Sequence, residues 1–188
     1  LIVLNLPHPA KFAEGFRSPG QLLRSSYIFF FQLPWLPELL LQASDYQLIE
    51  DIFTKTAFNQ SAFTKADLEV YKDAAAKRGA LTAMLNYYRN VSQQRLLKHD
   101  WSVLEVPTLL IWGEQDTALG KELTYGTEAF VSNLQLKYIP NCSHWVQQEK
   151  PELVNQYIRE FLAIYTNPIW YKVSQTTGMD EEFFTLIN

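Results

Sequence analysis

Two short segments carry side chains whose types and spacing could perform hydrolysis. Trp112-Gly113-Glu114-Gln115-Asp116 follows an aliphatic run and ends on a carboxylate, and Cys142-Ser143-His144-Trp145 follows a second run and carries an imidazole. Asp116 and His144 are 28 positions apart, which leaves room for a crossover helix and a second strand. Such a pair is the acid and base half of a catalytic triad, in which the carboxylate orients the imidazole and stabilises its positive charge.

The segments around this pair predict a parallel sheet. Aliphatic runs at 1–6, 107–112 and 134–139 are typical of parallel strands that are buried on both faces. The carboxyl ends of parallel strands meet at one edge of a sheet, so we expect Asp116 and His144 on adjacent loops. From residue 109 to residue 165 the predicted order is strand, helix, strand, helix.

A long stretch between the first two strands has the apolar spacing of helices. In residues 19–97 the apolar side chains recur at helical intervals, Thr64 is a predicted N-cap, and Gly79 is a predicted helix break. An all-helical insertion between two parallel strands is what a lid over an α/β active site would look like. We therefore predict a core strand and loop at 1–18, a helical lid at 19–100, a C-terminal core at 101–164 and a tail of unassigned role at 165–188.

The composition restricts the class of protein. With 188 residues, 47% of them hydrophobic, the chain is about one core-forming domain, and a net charge of −4 without a basic stripe argues against a nucleic-acid partner. No apolar run is long enough for a membrane span. The lone Cys142, expected to be structural, favours a reducing, cytoplasmic location. No residues have metal-ligand spacing and there is no glycine-rich phosphate loop, so we expect a small-molecule substrate and no metal or cofactor.

The candidate residues also have structural alternatives. Asp116 could cap a helix that begins before Leu119, and Glu114 is a rival for the acid. His144 could be a structural histidine with satisfied hydrogen bonds. His8, between two prolines just after the first strand, is expected to be structural.

Five motifs in this order resemble the epoxide-hydrolase-like branch of the α/β-hydrolase superfamily. The resemblance covers roughly residues 1–164 and implies the C-terminal part of an α/β-hydrolase parallel sheet with an inserted all-helical lid. The motifs are Leu4-Asn5-Leu6-Pro7-His8-Pro9, Phe31-Gln32-Leu33-Pro34, Asn86-Tyr87-Tyr88-Arg89-Asn90, Trp112-Gly113-Glu114-Gln115-Asp116 and Ser143-His144-Trp145-Val146-Gln147-Gln148-Glu149-Lys150-Pro151.

The resemblance implies roles for particular residues. Asp116 matches the triad acid, and His144 matches the base that activates water against a covalent ester. Tyr88 matches a lid tyrosine that donates a proton to the opening epoxide oxygen, although it also fits an ordinary apolar helix stripe. The second lid tyrosine of the family would fall at Phe30, which cannot donate, and Tyr27 lies one helical turn earlier as a possible substitute.

The same resemblance suggests a site that is incomplete in this sequence. The expected substrate-binding residues are Phe30, Phe31, Tyr27, Trp35 and Trp145. In the family an Asp nucleophile on a strand-to-helix turn precedes the acid and the His, and no such turn is recognisable here. The sequence thus predicts a fragment, inactive alone, of a hydrolase that acts through a covalent alkyl-enzyme intermediate on small apolar substrates.

Several other functions remain open at the level of the sequence. A haloalkane or haloacetate dehalogenase would use the same acid and base but needs halide-binding donors in the lid, for which Trp35 is the candidate. A Ser esterase of the same fold would differ only in the nucleophile. A non-catalytic truncated product is the alternative outside the enzymes.

Overall fold

A computed structural model of the chain describes residues 1–91 and 101–166. The predicted end of the helical block at 92–97 and all but the first two residues of the predicted tail at 165–188 lie outside the described residues. The chain divides into two compact units, and the first, Leu1–Pro151, contains all of the described strands.

The described strands form a parallel sheet in the order β1-β2-β3. The strands are β1 (Ile2–Leu4), β2 (Thr108–Gly113) and β3 (Leu134–Ile139). Every residue of the central strand β2 is buried, which explains its uninterrupted apolar sequence. The three predicted strands are confirmed, with β1 shorter than its aliphatic run.

The register brings the carboxyl ends of the strands to one edge. Leu4 pairs with Ile111, and Gly113, the last residue of β2, pairs with Ile139, the last residue of β3. All of the pairs are parallel, so the loops that follow the strands leave the sheet on the same side. The loops at this edge carry Asp116 and His144.

A block of helices lies between β1 and β2 in the chain. The helices of the first unit before β2 are α1 (Pro9–Gly15), α2 (Pro19–Arg24), α3 (Ser26–Phe30), α4 (Leu36–Thr56), α5 (Lys65–Ala76) and α6 (Ala80–Val91), with a short 3₁₀ turn at Gln60–Ala62. We call α2 to α6 the helical block, and its main core contains Leu41, Ile49, Ala75, Leu81 and Leu85. The fold class predicted from the sequence, a parallel sheet with an inserted helical segment, is confirmed.

Local signals account for the bounds of α5 and α6. The Thr64 hydroxyl accepts from the Asp67 amide at 3.2 Å, and the Asp67 carboxylate accepts from the Thr64 amide at 3.0 Å, which together form a capping box. Gly79 has a φ of 79°, a conformation that a glycine adopts without strain, and it separates the two helices. The predicted N-cap and helix break are confirmed.

The helix α4 is interrupted where the sequence has two separate apolar stripes. Ser44, Asp45 and Tyr46 have φ values of 48°, 54° and 59°, so the helix axis changes direction there. The Asp45 carboxylate lies 3.0 Å from the buried Lys72 ammonium, which ties this turn to α5. Tyr46 packs against the core of the helical block.

The crossover between β2 and β3 differs from the prediction. In place of a helix it contains two 3₁₀ turns, Lys121–Thr124 and Thr127–Ala129. Gly126 between them has a φ of 78°, which interrupts any continuous helix. The predicted crossover helix is therefore wrong, because a left-handed residue divides a stretch that has the length but not the continuity for a helix.

Two helices follow β3. They are α7 (Val146–Glu149) and α8 (Pro151–Thr166), and α8 is the helix predicted after the third strand. The second compact unit begins at Glu152. Within residues 1–91 and 101–166, no helix combines the length and apolar character needed to cross a membrane.

Candidate active site

The structure joins Asp116 and His144 at the carboxyl edge of the sheet. Asp116 Oδ2 lies 2.7 Å from His144 Nδ1, and the side-chain exposures are 0% for the carboxylate and 31% for the imidazole. The predicted proximity of the two residues is confirmed. With Nδ1 committed to Asp116, Nε2 is the ring nitrogen that can take a proton from a water molecule.

The second oxygen of the same carboxylate closes the turn that carries it. Asp116 Oδ1 accepts from the amides of Ala118 at 2.8 Å and Leu119 at 2.9 Å. The capping interaction and the pairing with His144 thus occur together, each on its own oxygen. Burial by itself would raise the pKa of Asp116, but the hydrogen bonds that it accepts, first from His144 and then from Asn5, hold that pKa below its usual value of 3.8.

Asn5 is a site residue for which no role was predicted from the sequence. It is 2% exposed, and its Nδ2 donates to Asp116 Oδ2 at 2.7 Å and to the Ser143 carbonyl at 3.4 Å. Its Oδ1 accepts from the Gly113 amide at 3.0 Å. One side chain at the end of β1 therefore contacts the loops of both site residues. The available signals were a polar residue within the aliphatic run at 1–6 and its place in the first of the five motifs.

A second set of contacts holds the two site loops together. The Gln115 amide donates to the Cys142 carbonyl at 3.0 Å, and Gln115 Oε1 accepts from the Cys142 amide at 3.0 Å. Cys142 is fully buried, and burial raises the pKa of its thiol to about 12. A thiol with so high a pKa is a poor nucleophile, which supports the structural role that we expected for it.

The rival acid and the first histidine have other partners. Glu114 forms an ion pair with Lys121 and not with His144. His8 Nδ1 accepts from the Ala10 amide at 3.2 Å and caps α1, while its ring stacks on Phe130 at 4.8 Å. Burial lowers the pKa of His8, so at neutral pH it is an uncharged packing and capping residue.

The helical block contributes an aromatic cluster of Tyr27, Phe31 and Tyr88. Ring centroids are 5.7 Å apart for Tyr27 and Tyr88, 5.6 Å for Tyr27 and Phe31, and 5.0 Å for Phe31 and Tyr88. The Arg89 guanidinium donates to the Phe31 carbonyl at 3.0 Å and forms an ion pair with Glu38 at 2.8 Å. These contacts hold the backbone of Phe31 next to the helix that carries Tyr88. Tyr27 and Tyr88 thus form a pair, which the sequence suggested only through helical spacing.

The other predicted binding residues are distributed differently. Phe30 contacts Phe31, with ring centroids 5.8 Å apart, and it is absent from the contacts of the two tyrosines. Trp35 is 69% exposed and lies outside the aromatic cluster. Trp145 donates its indole N–H to Thr56 Oγ1 at 2.8 Å.

Several known proteins are similar to the chain in sequence and fold, although no family model matches it. Human epoxide hydrolase 4 is 40% identical over 168 residues, which cover 86% of this chain and 46% of that protein. The AB hydrolase superfamily protein YfhM of Bacillus subtilis is 40% identical over 163 residues, covering 86% and 56%. The crystal structure of a Bacillus megaterium epoxide hydrolase in complex with an inhibitor superposes with a TM-score of 0.73 at 28% identity, covering 86% of this chain and 60% of that one.

The chain has the α/β-hydrolase fold, and the relatives that match most of its length are epoxide hydrolases and a member of the AB hydrolase superfamily. It spans about half the length of the curated relatives that it matches. In this hydrolase-fold chain, Asp116 and His144 lie on the loops that follow β2 and β3, while the aromatic cluster comes from the insertion between β1 and β2. Among the residues that the structure describes, no group of three or more His, Cys, Asp or Glu could hold a metal ion.

In this hydrolase-fold chain, Gly113 at the end of β2 allows the loop that carries His144 to lie close to the loop that carries Asp116. A Cβ at this position would lie 2.0 Å from the Ser143 carbonyl oxygen and 2.7 Å from the Cys142 carbonyl oxygen. Both contacts are with backbone, which cannot yield as a flexible side chain can. A glycine is therefore required for the His144 loop to lie against the end of β2.

We expect Gly113→Ala to lower the free energy of unfolding by about 2–3 kcal/mol, because the methyl group would push the loops apart. Urea denaturation of the variant checks this. Gly20→Ala is the control, since the nearest atom to its added Cβ would be Ser18 Oγ at 3.9 Å. Equal stability of Gly113→Ala and the parent chain would contradict the close approach.

Proposed function

We propose that this chain carries the acid and base of a hydrolase that works through a covalent alkyl-enzyme ester on a small, largely apolar epoxide. The observation that carries the proposal is the 2.7 Å contact between Asp116 Oδ2 and His144 Nδ1. The names of the relatives supply the substrate class. We further propose that the nucleophile lies in the part of the relatives' length that this chain does not span.

The proposed reaction has two steps. A carboxylate nucleophile attacks an epoxide carbon, the carbon–oxygen bond breaks, and the oxygen takes a proton from a tyrosine hydroxyl. His144 Nε2 then takes a proton from water, and the resulting hydroxide attacks the ester carbonyl. The ester carbon–oxygen bond breaks, the diol and the free carboxylate are released, and the imidazolium proton returns to the tyrosinate left by the first step. Asp116 stabilises the imidazolium that forms in the second step.

The proton donors that we propose for the first step are Tyr27 and Tyr88. Burial is the main cause that raises the pKa of Tyr27, and the charges of Tyr88 and Asp116 raise it further. Burial also raises the pKa of Tyr88. Both hydroxyls therefore stay protonated at neutral pH and can donate.

Tyr27 is a better candidate than residue 30 for the second donor. Phe30 has no hydroxyl, whereas Tyr27 packs edge-on against Tyr88 with ring centroids 5.7 Å apart. The apolar faces of Phe30 and Phe31 suit a largely apolar substrate. The exposure of Trp35, 69%, offers no support for a halide-binding role in a dehalogenase or for a place in the substrate pocket.

We expect Tyr27→Phe and Tyr88→Phe each to slow ester formation by roughly two orders of magnitude, because the developing oxyanion loses a donor. Ester hydrolysis should be unchanged, since neither hydroxyl is used in that step. Pre-steady-state kinetics separate the two rates, and Tyr87→Phe is the control because Tyr87 is 80% exposed. Unchanged ester formation in Tyr27→Phe would remove it from the mechanism.

The test of the whole proposal is to trap the ester. It requires a complete protein, meaning this chain joined to the segment that supplies the nucleophile. His144→Gln should form the ester but not hydrolyse it, so an epoxide should add its mass to a peptide outside the 188 residues. His8→Gln is the control and should turn over normally. Halide release from haloalkanes without diol formation would favour a dehalogenase, and an adduct on serine would favour an esterase.

A further inference from the structure

The residue that follows His144 is held by the helical block. Trp145 Nε1–H donates to Thr56 Oγ1 at 2.8 Å, near the end of α4. Its ring lies 4.5 Å from Phe53 and 6.3 Å from Phe63, measured between centroids. Trp145 therefore packs against a small apolar cluster of the helical block, which consists of Ala57, Phe63 and Leu68.

The residue that precedes His144 is held by the same block through a buried carboxylate. Glu149, 5% exposed, accepts on Oε1 from the Ser143 amide at 3.0 Å and from the Ser143 hydroxyl. Its other oxygen, Oε2, accepts from the Asn59 amide at 2.8 Å. One carboxylate thus links the loop of His144 to the turn after α4.

Both links end on one short segment of the helical block. Phe53, Thr56, Asn59 and Phe63 all lie within residues 53–63, at the end of α4 and in the turn that follows it. The opposite side of the His144 loop is held by the sheet edge, through Asn5 and Gln115. The imidazole consequently sits on a loop that is fastened on one side to the sheet and on the other to the insertion.

We propose that Trp145 and Glu149 are positioning residues that form a latch, so that His144 keeps its geometry against Asp116 only while residues 53–63 are docked. The proposal rests on the proposed function in treating His144 as a base. The latch makes the acid–base pair depend on the helical block, which is also the source of the aromatic cluster. A displaced helical block would weaken both at once.

Thr56 and Thr54 allow a matched test of the latch. Both hydroxyls donate to a carbonyl of their own helix, Thr54 to Glu50 at 2.9 Å and Thr56 to Ile52 at 2.5 Å. Thr56 alone also accepts from Trp145. Thr56→Val and Thr54→Val therefore each remove one intrahelical hydrogen bond of the same type, and neither changes the charge. Only Thr56→Val also removes the acceptor for Trp145. Thr56→Ser keeps the acceptor and should restore the native behaviour.

Two measurements on the 188-residue chain report on the latch without any substrate. The low-field proton NMR signal of a His Nδ1–H bonded to a carboxylate should broaden or disappear in Thr56→Val and persist in Thr54→Val and Thr56→Ser. Amide hydrogen exchange over residues 141–147 should accelerate by roughly tenfold or more in Thr56→Val alone, because an indole donor loses its acceptor. Exchange in β2 should stay unchanged.

Thr56→Val that matches Thr54→Val in both measurements would overturn the latch. Exchange that accelerates equally in β2 would also overturn it, because a general loss of stability would then explain the change. Both outcomes are distinct from failure of the proposed function. A protein could show the latch in these measurements and still fail to form an ester from an epoxide.

Discussion

Asp116→Asn is expected to lower the turnover of the complete protein by roughly four orders of magnitude. Both carboxylate oxygens are acceptors: Oδ1 takes the amides of Ala118 and Leu119, and Oδ2 takes Asn5 and His144. An asparagine has a single oxygen, and the two fixed backbone donors will keep it. Its NH₂ group must then face His144 Nδ1, which forces the proton onto Nε2 and removes the lone pair that should accept a proton from water.

The measurement is steady-state hydrolysis of an epoxide by the complete protein. Glu114→Gln is the matched control, because it makes the same carboxylate-to-amide change two positions earlier, in a side chain paired with Lys121. The control should retain most of the turnover, since a partly exposed ion pair near the surface contributes little to stability. A larger loss in Glu114→Gln than in Asp116→Asn would exchange their assignments.

This 188-residue chain by itself is expected to hydrolyse neither epoxides nor p-nitrophenyl esters. In the proposed mechanism, His144 activates water only against an ester that a nucleophile has already formed, and the sequence offers no strand-to-helix turn that could present one. Cys142 does not replace it, because burial raises the pKa of its thiol to about 12. General base catalysis without the covalent step would leave rates near the background.

The assay compares the chain with the complete protein at equal concentration. His144→Ala in the chain is the control for trace activity, since any residual hydrolysis should be unaffected by it. Hydrolysis by the chain that disappears in His144→Ala would show that its nucleophile lies among these residues. That result would contradict the proposed location of the nucleophile and leave the acid–base pair intact.

The elements that follow from local signals were predictable. The capping box joins Thr64 to Asp67, three positions later, and Gly79 acts through its own backbone conformation. Both signals are local, so they act before any tertiary contact forms. The buried strand β2 was recognisable because both of its faces must be apolar. The proximity of Asp116 and His144 followed from the parallel order of the strands.

The prediction of a crossover helix was wrong because the number of residues between two strands does not reveal a residue with a positive φ. The length between β2 and β3 is compatible with a helix, yet Gly126 divides it into two 3₁₀ turns. The resemblance put the second lid tyrosine at Phe30, with Tyr27 as a possible substitute, and the sequence did not decide which of the two packs against Tyr88. Both are aromatic residues on neighbouring turns, and the packing of α3 on α6 selects one of them.

The contacts between distant parts of the chain required the folded structure. Asn5 is separated from Asp116 by 111 positions, and Asn59 from Glu149 by 90 positions. Such polar contacts have no periodicity or capping pattern in the sequence, because they form only where the fold brings two backbones together. Residue types and strand order thus determine which groups could react, whereas tertiary packing determines what holds the imidazole in place.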